Sequence, residues 1–240
     1  MHVIDEIIIL DKESPLFSEL NKGNKLNITI NTELAAYIFS CSKALSAISS
    51  CIDKARLSLS FLDIKHLEFI ASNERPKGDY IELLVENTII RAQSIYDRTL
   101  IFTNRLLDLG ISNESINHNH LVTNEKIKAY GLDAKLKSIN KACKEYREVR
   151  NTVIHHDRYS EEDLDRLSVV MKADHLSRQH SGEPFVEARI LTEFTDAYLT
   201  IKREDFNNYL EKIEAQVYSL YDAAIPIYTH YKDKMRTPDI

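Results

Sequence analysis

The stretch "ELAAYIFSCSKALSAISSCIDKARLSLSFLDIKHLEF", residues 33–69, repeats apolar residues at alternating steps of four and three. Leu34, Ile38, Cys41, Leu45, Ile48, Ile52, Ala55, Leu59, Leu62, His66 and Phe69 form one row with a single polar member. A strand would bring every second residue to one face, whereas a helix at about 3.6 residues per turn brings these to one side. The row predicts one very long amphipathic helix. Asn31 or Thr32 caps its start, because a short polar side chain there accepts from N–H groups left unpaired in the first turn. His66, lying on the row, reads as a core histidine rather than a ligand.

Outward from this helix the same period recurs. "NERPKGD" (73–79) is a break, and Asp79 with Glu82 three residues later has the form of a capping box. A second long helix follows through Ile81, Leu84, Thr88, Ala92, Ile95, Thr99, Phe102 and Leu106 to Gly110. "ISNESINHNHLVTNE" (111–125) is polar and reads as a loop. A third helix is predicted from Asp133 to Ile154, burying Leu132, Leu136, Ile139, Cys143 and Tyr146, with Val149 and Val153 continuing the seam. Ser160 and the acidic Glu161, Glu162 and Asp163 suit the first turn of a fourth helix, which stops near "SGEP" (181–184).

"FVEARILTEFTDAYLTI" (185–201) has no clean period and stays ambiguous between strand and helix. Phe206, Tyr209, Leu210, Ile213, Val217, Leu220 and Tyr221 mark a final helix that Pro226 ends or kinks. At the other end, "HVIDEIIIL" (2–10) and "KLNITI" (25–30) are β-branched enough for short strands or extended arms. The economical reading is all-α: an up-and-down four-helix core over 31–182, an N-terminal extension over 1–30, and a C-terminal helical extension over 183–240 packed on that core.

Composition agrees. Five glycines and five prolines in 240 residues leave few breaks in a helical chain. A net charge of −6 excludes a broad positive field for sequence-independent DNA binding, though not a local basic cleft. Lys135, Lys137, Lys141, Lys144, Arg147 and Arg150 form such a local basic stretch, which also fits a plain solvated helix face. Cys41, Cys51 and Cys143 make no CxxC pair and read as buried thiols of a reducing compartment. The start lacks a signal-peptide pattern, and the run from Ile7 to Leu10 is too short to span a bilayer. The expectation is a cytoplasmic protein with no membrane partner. His118 and His120 lack a convincing third ligand, so no metal and no cofactor are expected.

The chemistry concentrates in "EVRNTVIHHDRYS" (148–160), where Arg150, Asn151 and His155 gather as the helical pattern gives out. Residues five apart on one helix point about 140° apart. Arg150 and His155 therefore need either a helix end between them or long side chains converging at its end. Arginine is a permanent, planar fork of donors for phosphate oxygens, and histidine exchanges protons near neutral pH. RNA carries its own nucleophile in the 2′-hydroxyl, so such a pair suffices for phosphodiester cleavage. Asn151 fits a role holding the ring or the phosphate, and Arg147, His156 and Tyr159 are candidate substrate contacts.

"RNTVIH", at a helix end in an all-helical chain, resembles the R-polar-x3-H signature of the HEPN superfamily, the "higher eukaryotes and prokaryotes nucleotide-binding" domains. The resemblance covers about Asn31 to His180. It implies a four-helix core that forms a homodimer, with the two motifs meeting in one composite, metal-independent ribonuclease site built on Arg150, Asn151 and His155. It further implies RNA as substrate and service in toxin–antitoxin, phage-defence or RNA-processing systems beside an antitoxin or defence partner. Other members are inactive nucleotide-binding or interaction modules, and the acidic net charge favours that alternative. Some toxin members carry a tyrosine two residues after the histidine. Asp157 stands there in this chain, and Tyr159 comes two residues later.

Overall fold

The computed structural model describes residues 2–18, 28–70, 76–155 and 158–236. Every regular element among them is helical, so the all-α expectation holds. In chain order the α-helices are α1 (Val3–Ile8), α2 (Pro15–Ser18), α3 (Glu33–Phe61), α4 (Ile64–Ile70), α5 (Lys77–Leu106) and α6 (His118–Thr123). Then come α7 (Glu125–Ala129), α8 (Leu132–Cys143), α9 (Arg147–His155), α10 (Glu162–Ser181) and α11 (Ala188–Arg236). The chain forms two compact units, one of Met1–Cys51, Ser94–Cys143 and Ile213–Ile240, the other of Ile52–Gln93 and Lys144–Lys212.

In the first unit, Ile38, Cys41, Leu45 and Ile48 of α3 are buried as the row requires. Thr32 is the cap, its Oγ1 accepting from Ala35 N at 3.0 Å. Residues 3–8 form a helix, not a strand. His2 Nδ1 accepts from Ile4 N and the Asp5 carboxylate accepts from His2 N, while Ile4 and Ile8 are buried one turn apart. The reciprocal cap and this buried pair override β-branched propensity. In "KLNITI", residues 28–30 have no regular structure and 25–27 lie outside the described residues.

The stretch 111–125 is likewise more ordered than its polarity suggested. Asn117 and Asn124 cap α6 and α7 by accepting from His120 N and Ile127 N, and both helices pack on α8. Their asparagines start helices rather than fill a loop. Pro226 does not end α11, which runs on to Arg236. The turns around it are held from outside the helix: Ala224, Ile227 and Tyr228 are buried, Tyr228 donates to Asp11 at 2.8 Å, and Lys232 donates to Asp11 Oδ1 at 2.7 Å. Cys41 and Cys143 are buried free thiols, and burial pushes both pKa values up to about 12, so neither is a reactive thiolate.

In the second unit, α3 continues its row through Ile52, Ala55 and Leu59 and then stops at Phe61. Asp63 restarts the chain as α4, its Oδ1 accepting from Lys65 N at 2.9 Å. The restart shifts the helical phase. Leu67 becomes the buried residue, Phe69 is 89% exposed, and His66 is an exposed side chain 3.7 Å from Asp63 rather than a core histidine. The long-helix reading fails here because one capping residue resets the register.

Helix α5 starts at Lys77, which puts Asp79 in its first turn instead of at its cap, and Glu82 is drawn to Arg158 at 3.2 Å. The ambiguous stretch 185–201 is helical from Ala188. Its period is blurred because Tyr198 and Leu199 are buried while Phe194 and Ile201 are 69% and 59% exposed on the same helix. Asp174 organises the preceding turn, accepting from Arg178 Nε at 2.7 Å and Phe185 N at 2.9 Å. By length and composition α3 is the one described helix that would also pass for a membrane span. Its row of buried residues is what a core helix needs.

Gly78 lies tight against α10: a Cβ there would meet Ser168 Oγ at 2.9 Å and Ser168 Cα at 3.2 Å. Alanine is the better helix former by up to about 1 kcal/mol, but overpacking costs about 1–3 kcal/mol, so crowding wins. Gly78→Ala is expected to lower the urea midpoint. Ser168→Ala is expected to be neutral or mildly stabilising, because Ser168 Oγ is buried with no partner among the described residues. Urea unfolding of both variants checks the pair.

Candidate functional site

The helix predicted from Asp133 to Ile154 is interrupted. A 3-10 turn, Lys144–Tyr146, precedes α9, which runs from Arg147 to His155. Tyr146 anchors this turn in the second unit, its ring centroid 5.1 Å from that of Phe206 and 4.8 Å from that of Tyr209. With the turn fixed, the side chains of α9 have fixed directions.

Arg150 is half-buried and donates from Nη1 to Asn151 Oδ1 at 3.2 Å. Its Nε is buried with no partner among the described residues. A buried donor left without an acceptor calls for an explanation, and the half-buried guanidinium that carries it is the group type that grips anionic oxygens. Asn151 is half-buried, Arg147 is exposed, and Ile154 on the same helix is 42% exposed. His155 is the last residue of α9; its side chain, with His156 and Asp157, lies outside the described residues. The helix therefore does not end between Arg150 and His155. Positions five apart on one helix lie about 140° apart around it and about 7.5 Å apart along the axis.

The residues after the motif are tied down on several sides. Arg158 pairs with Glu82 at 3.2 Å and Asp165 at 3.1 Å. Glu86 accepts from Tyr159 N at 2.8 Å. Tyr159 is buried and donates its hydroxyl to Glu161 Oε2 at 2.8 Å, where Tyr198 also donates at 3.1 Å. Lys202 Nζ lies 2.5 Å from Glu161 Oε1. Burial foremost, with Glu161 adding to it, pushes both tyrosine hydroxyls above their ordinary pKa range. Burial likewise raises the Glu82 carboxyl, against the pull of Arg158. These side chains hold residues 158–161 in place, and the Tyr159 hydroxyl is committed to Glu161.

Residues 29–224 match the family described as HEPN_Cthe2314-like HEPN. The chain belongs to this HEPN family. No match was found among curated proteins or among solved structures.

In this HEPN chain His118 and His120 are structural neighbours of other polar groups. His118 Nδ1 meets the Tyr96 hydroxyl and lies 3.3 Å from Asn140 Nδ2, and His120 Nδ1 lies 3.0 Å from Ser115 O. No cluster of three metal-ligating side chains occurs among the described residues. The Glu161 hub is the feature that sequence reading missed. Glu161 was read only as a helix-start acid. The available signal was Tyr198 and Lys202 one turn apart on a later helix, a donor pair in need of an acceptor.

Replacing Tyr159 by phenylalanine keeps the ring and deletes the donor. Since Glu161 retains Tyr198 and Lys202, a loss of about 1.5 kcal/mol is expected, the low end for a bond to a charged group. Urea unfolding at neutral pH measures it.

Proposed function

We propose that this HEPN protein is an endoribonuclease whose site is completed by a second copy of the chain. The observation that carries the reading is the unspent Arg150 Nε beside Asn151 on a helix that continues to His155. One such helix does not direct both side chains at one phosphate, being about 140° apart. Two helices related by a two-fold axis bring the Arg150 of one copy to the His155 of the other. Exposed Ile154, within the motif, suits burial in that contact.

The chemistry needs only what these residues supply. Neutral His155 removes the proton from the 2′-hydroxyl, whose oxygen attacks the adjacent phosphorus. The P–O5′ bond breaks, and His155, now protonated, gives that proton to the departing 5′-oxygen. Arg150, with Asn151 beside it, stabilises the charge growing on the non-bridging oxygens. The nucleophile belongs to the RNA, so the mechanism requires no cofactor. Arg147 and His156 contribute to substrate binding in this reading. A toxin or phage-defence effector working in the cytoplasm beside an antitoxin or partner protein is the role that follows. The net charge of −6 favours one competing reading, an inactive nucleotide-binding or interaction module.

Purified protein with mixed-sequence RNA in EDTA decides between them. Cleavage is expected, leaving a 2′,3′-cyclic phosphate and a 5′-hydroxyl, with DNA untouched. His155→Ala is expected to lose about 10²–10⁴-fold in rate. Arg150→Lys keeps the charge but not the fork and is expected to be badly impaired. His156→Ala is expected to be milder. An essential His156 with a dispensable His155, or equal cleavage of DNA, would refute the assignment.

A further inference from the structure

The 3-10 turn ahead of α9 changes which side chains line up with the motif. A 3-10 turn has about 3.0 residues per turn, so residues three apart eclipse one another. In an unbroken α-helix, Lys144 and Arg147 would point about 60° apart. With Lys144–Tyr146 wound as a 3-10 turn, the two lie on nearly one line. From Arg147 onward α9 advances about 100° per residue. Asn151 then falls about 40° to one side of that line and Arg150 about 60° to the other. The line drawn by Lys144 and Arg147 thus runs onto the motif between its two polar residues.

The axial spacing is regular too. Lys144 to Arg147 is about 6 Å at a 3-10 rise of about 2.0 Å per residue. Arg147 to Asn151 is again about 6 Å at about 1.5 Å per residue. This is on the order of the step between neighbouring phosphates in an extended single strand. Both Lys144 and Arg147 are exposed, and neither has an acidic partner among the described residues. The acid inside the turn, Glu145, is taken up by Lys212 at 3.4 Å and points away from the line. Glu148 lies about a quarter turn from Arg147.

We propose that Lys144 and Arg147 form a two-phosphate track for single-stranded RNA, set in line with the Arg150–Asn151 motif by the 3-10 turn. The track rests on the ribonuclease reading and adds to it a substrate form: a strand with at least two backbone phosphates beyond the scissile one. Its cations touch phosphates that do not react, so they bind ground state and transition state equally. Their loss raises KM and leaves kcat unchanged.

The test uses full-length protein carrying His155→Ala, so that binding is read without cleavage. The probe is a fluorescent mixed-sequence single-stranded RNA, titrated by anisotropy over a range of salt concentrations. Each phosphate contact in a single strand contributes about 0.7 to the slope of log affinity against log salt. Lys144→Ala with Arg147→Ala is expected to reduce that slope by about 1.4. Lys172→Ala, an exposed cation on α10, is expected to leave it unchanged. In the parent enzyme the same double change is expected to raise KM at constant kcat. An unchanged slope in the double variant, or an equal loss from Lys172→Ala, overturns the track while leaving the ribonuclease assignment standing. Absence of RNA binding by the parent protein sinks both.

Discussion

An α-helix advances about 100° per residue, and this fixed angle governs what each helical side chain of the protein can reach. Where the chain keeps to it, residues such as Ile38, Cys41, Leu45 and Ile48 stay on one buried face. Where the chain departs from it, the set of exposed side chains changes. The cap at Asp63 turns the row away, so that Leu67 is buried and Phe69 is exposed. The 3-10 turn at Lys144–Tyr146 sets a new phase for everything that follows in α9. Within α9 the same angle separates Arg150 from His155, which is why a second copy enters the proposed mechanism.

A fixed phase is useful only if the helix that carries it is held. Tyr146, packed against Phe206 and Tyr209, secures the start of α9. Glu82, Glu86 and Glu161 secure the segment after it through Arg158, Tyr159, Tyr198 and Lys202. These pairings also explain how a chain with a net charge of −6 can offer a cationic site. Glu82, Glu86, Glu145 and Glu161 are spent on cations or backbone donors, and Lys144 and Arg147 are left to solvent. Local pairing outweighs total charge, because exposed charges farther apart than a Debye length of about 8 Å are largely screened.

The core of the molecule was legible in the sequence because burial follows periodicity. The stripe of α3, the Thr32 cap and the buried face Leu132, Leu136, Ile139 and Cys143 of α8 all carry their own local signals. What was not legible depended on partners distant in the chain. Pro226 reads as a helix end until Asp11 is known to hold Tyr228 and Lys232. Residues 185–201 lose their period because both faces carry apolar side chains. That the Tyr159 hydroxyl is held by Glu161 could not be read from its position after the motif. In the motif, residue types and spacing could be read directly. The interruption before it, which decides how its side chains are aimed, has no local signature in "KEYREVR".

The claim on which the mechanism turns is that Arg150 and His155 act across two copies of the chain. Mixing two inactive variants, Arg150→Ala and His155→Ala, after unfolding and refolding them together tests it most directly. A mixed dimer then holds one intact Arg150 facing one intact His155. We expect RNA cleavage in EDTA to reappear in the mixture, while each variant refolded alone stays inactive. A mixture that forms mixed dimers, shown by tagged copies, yet remains inactive would contradict the account and place both residues in one chain's own site.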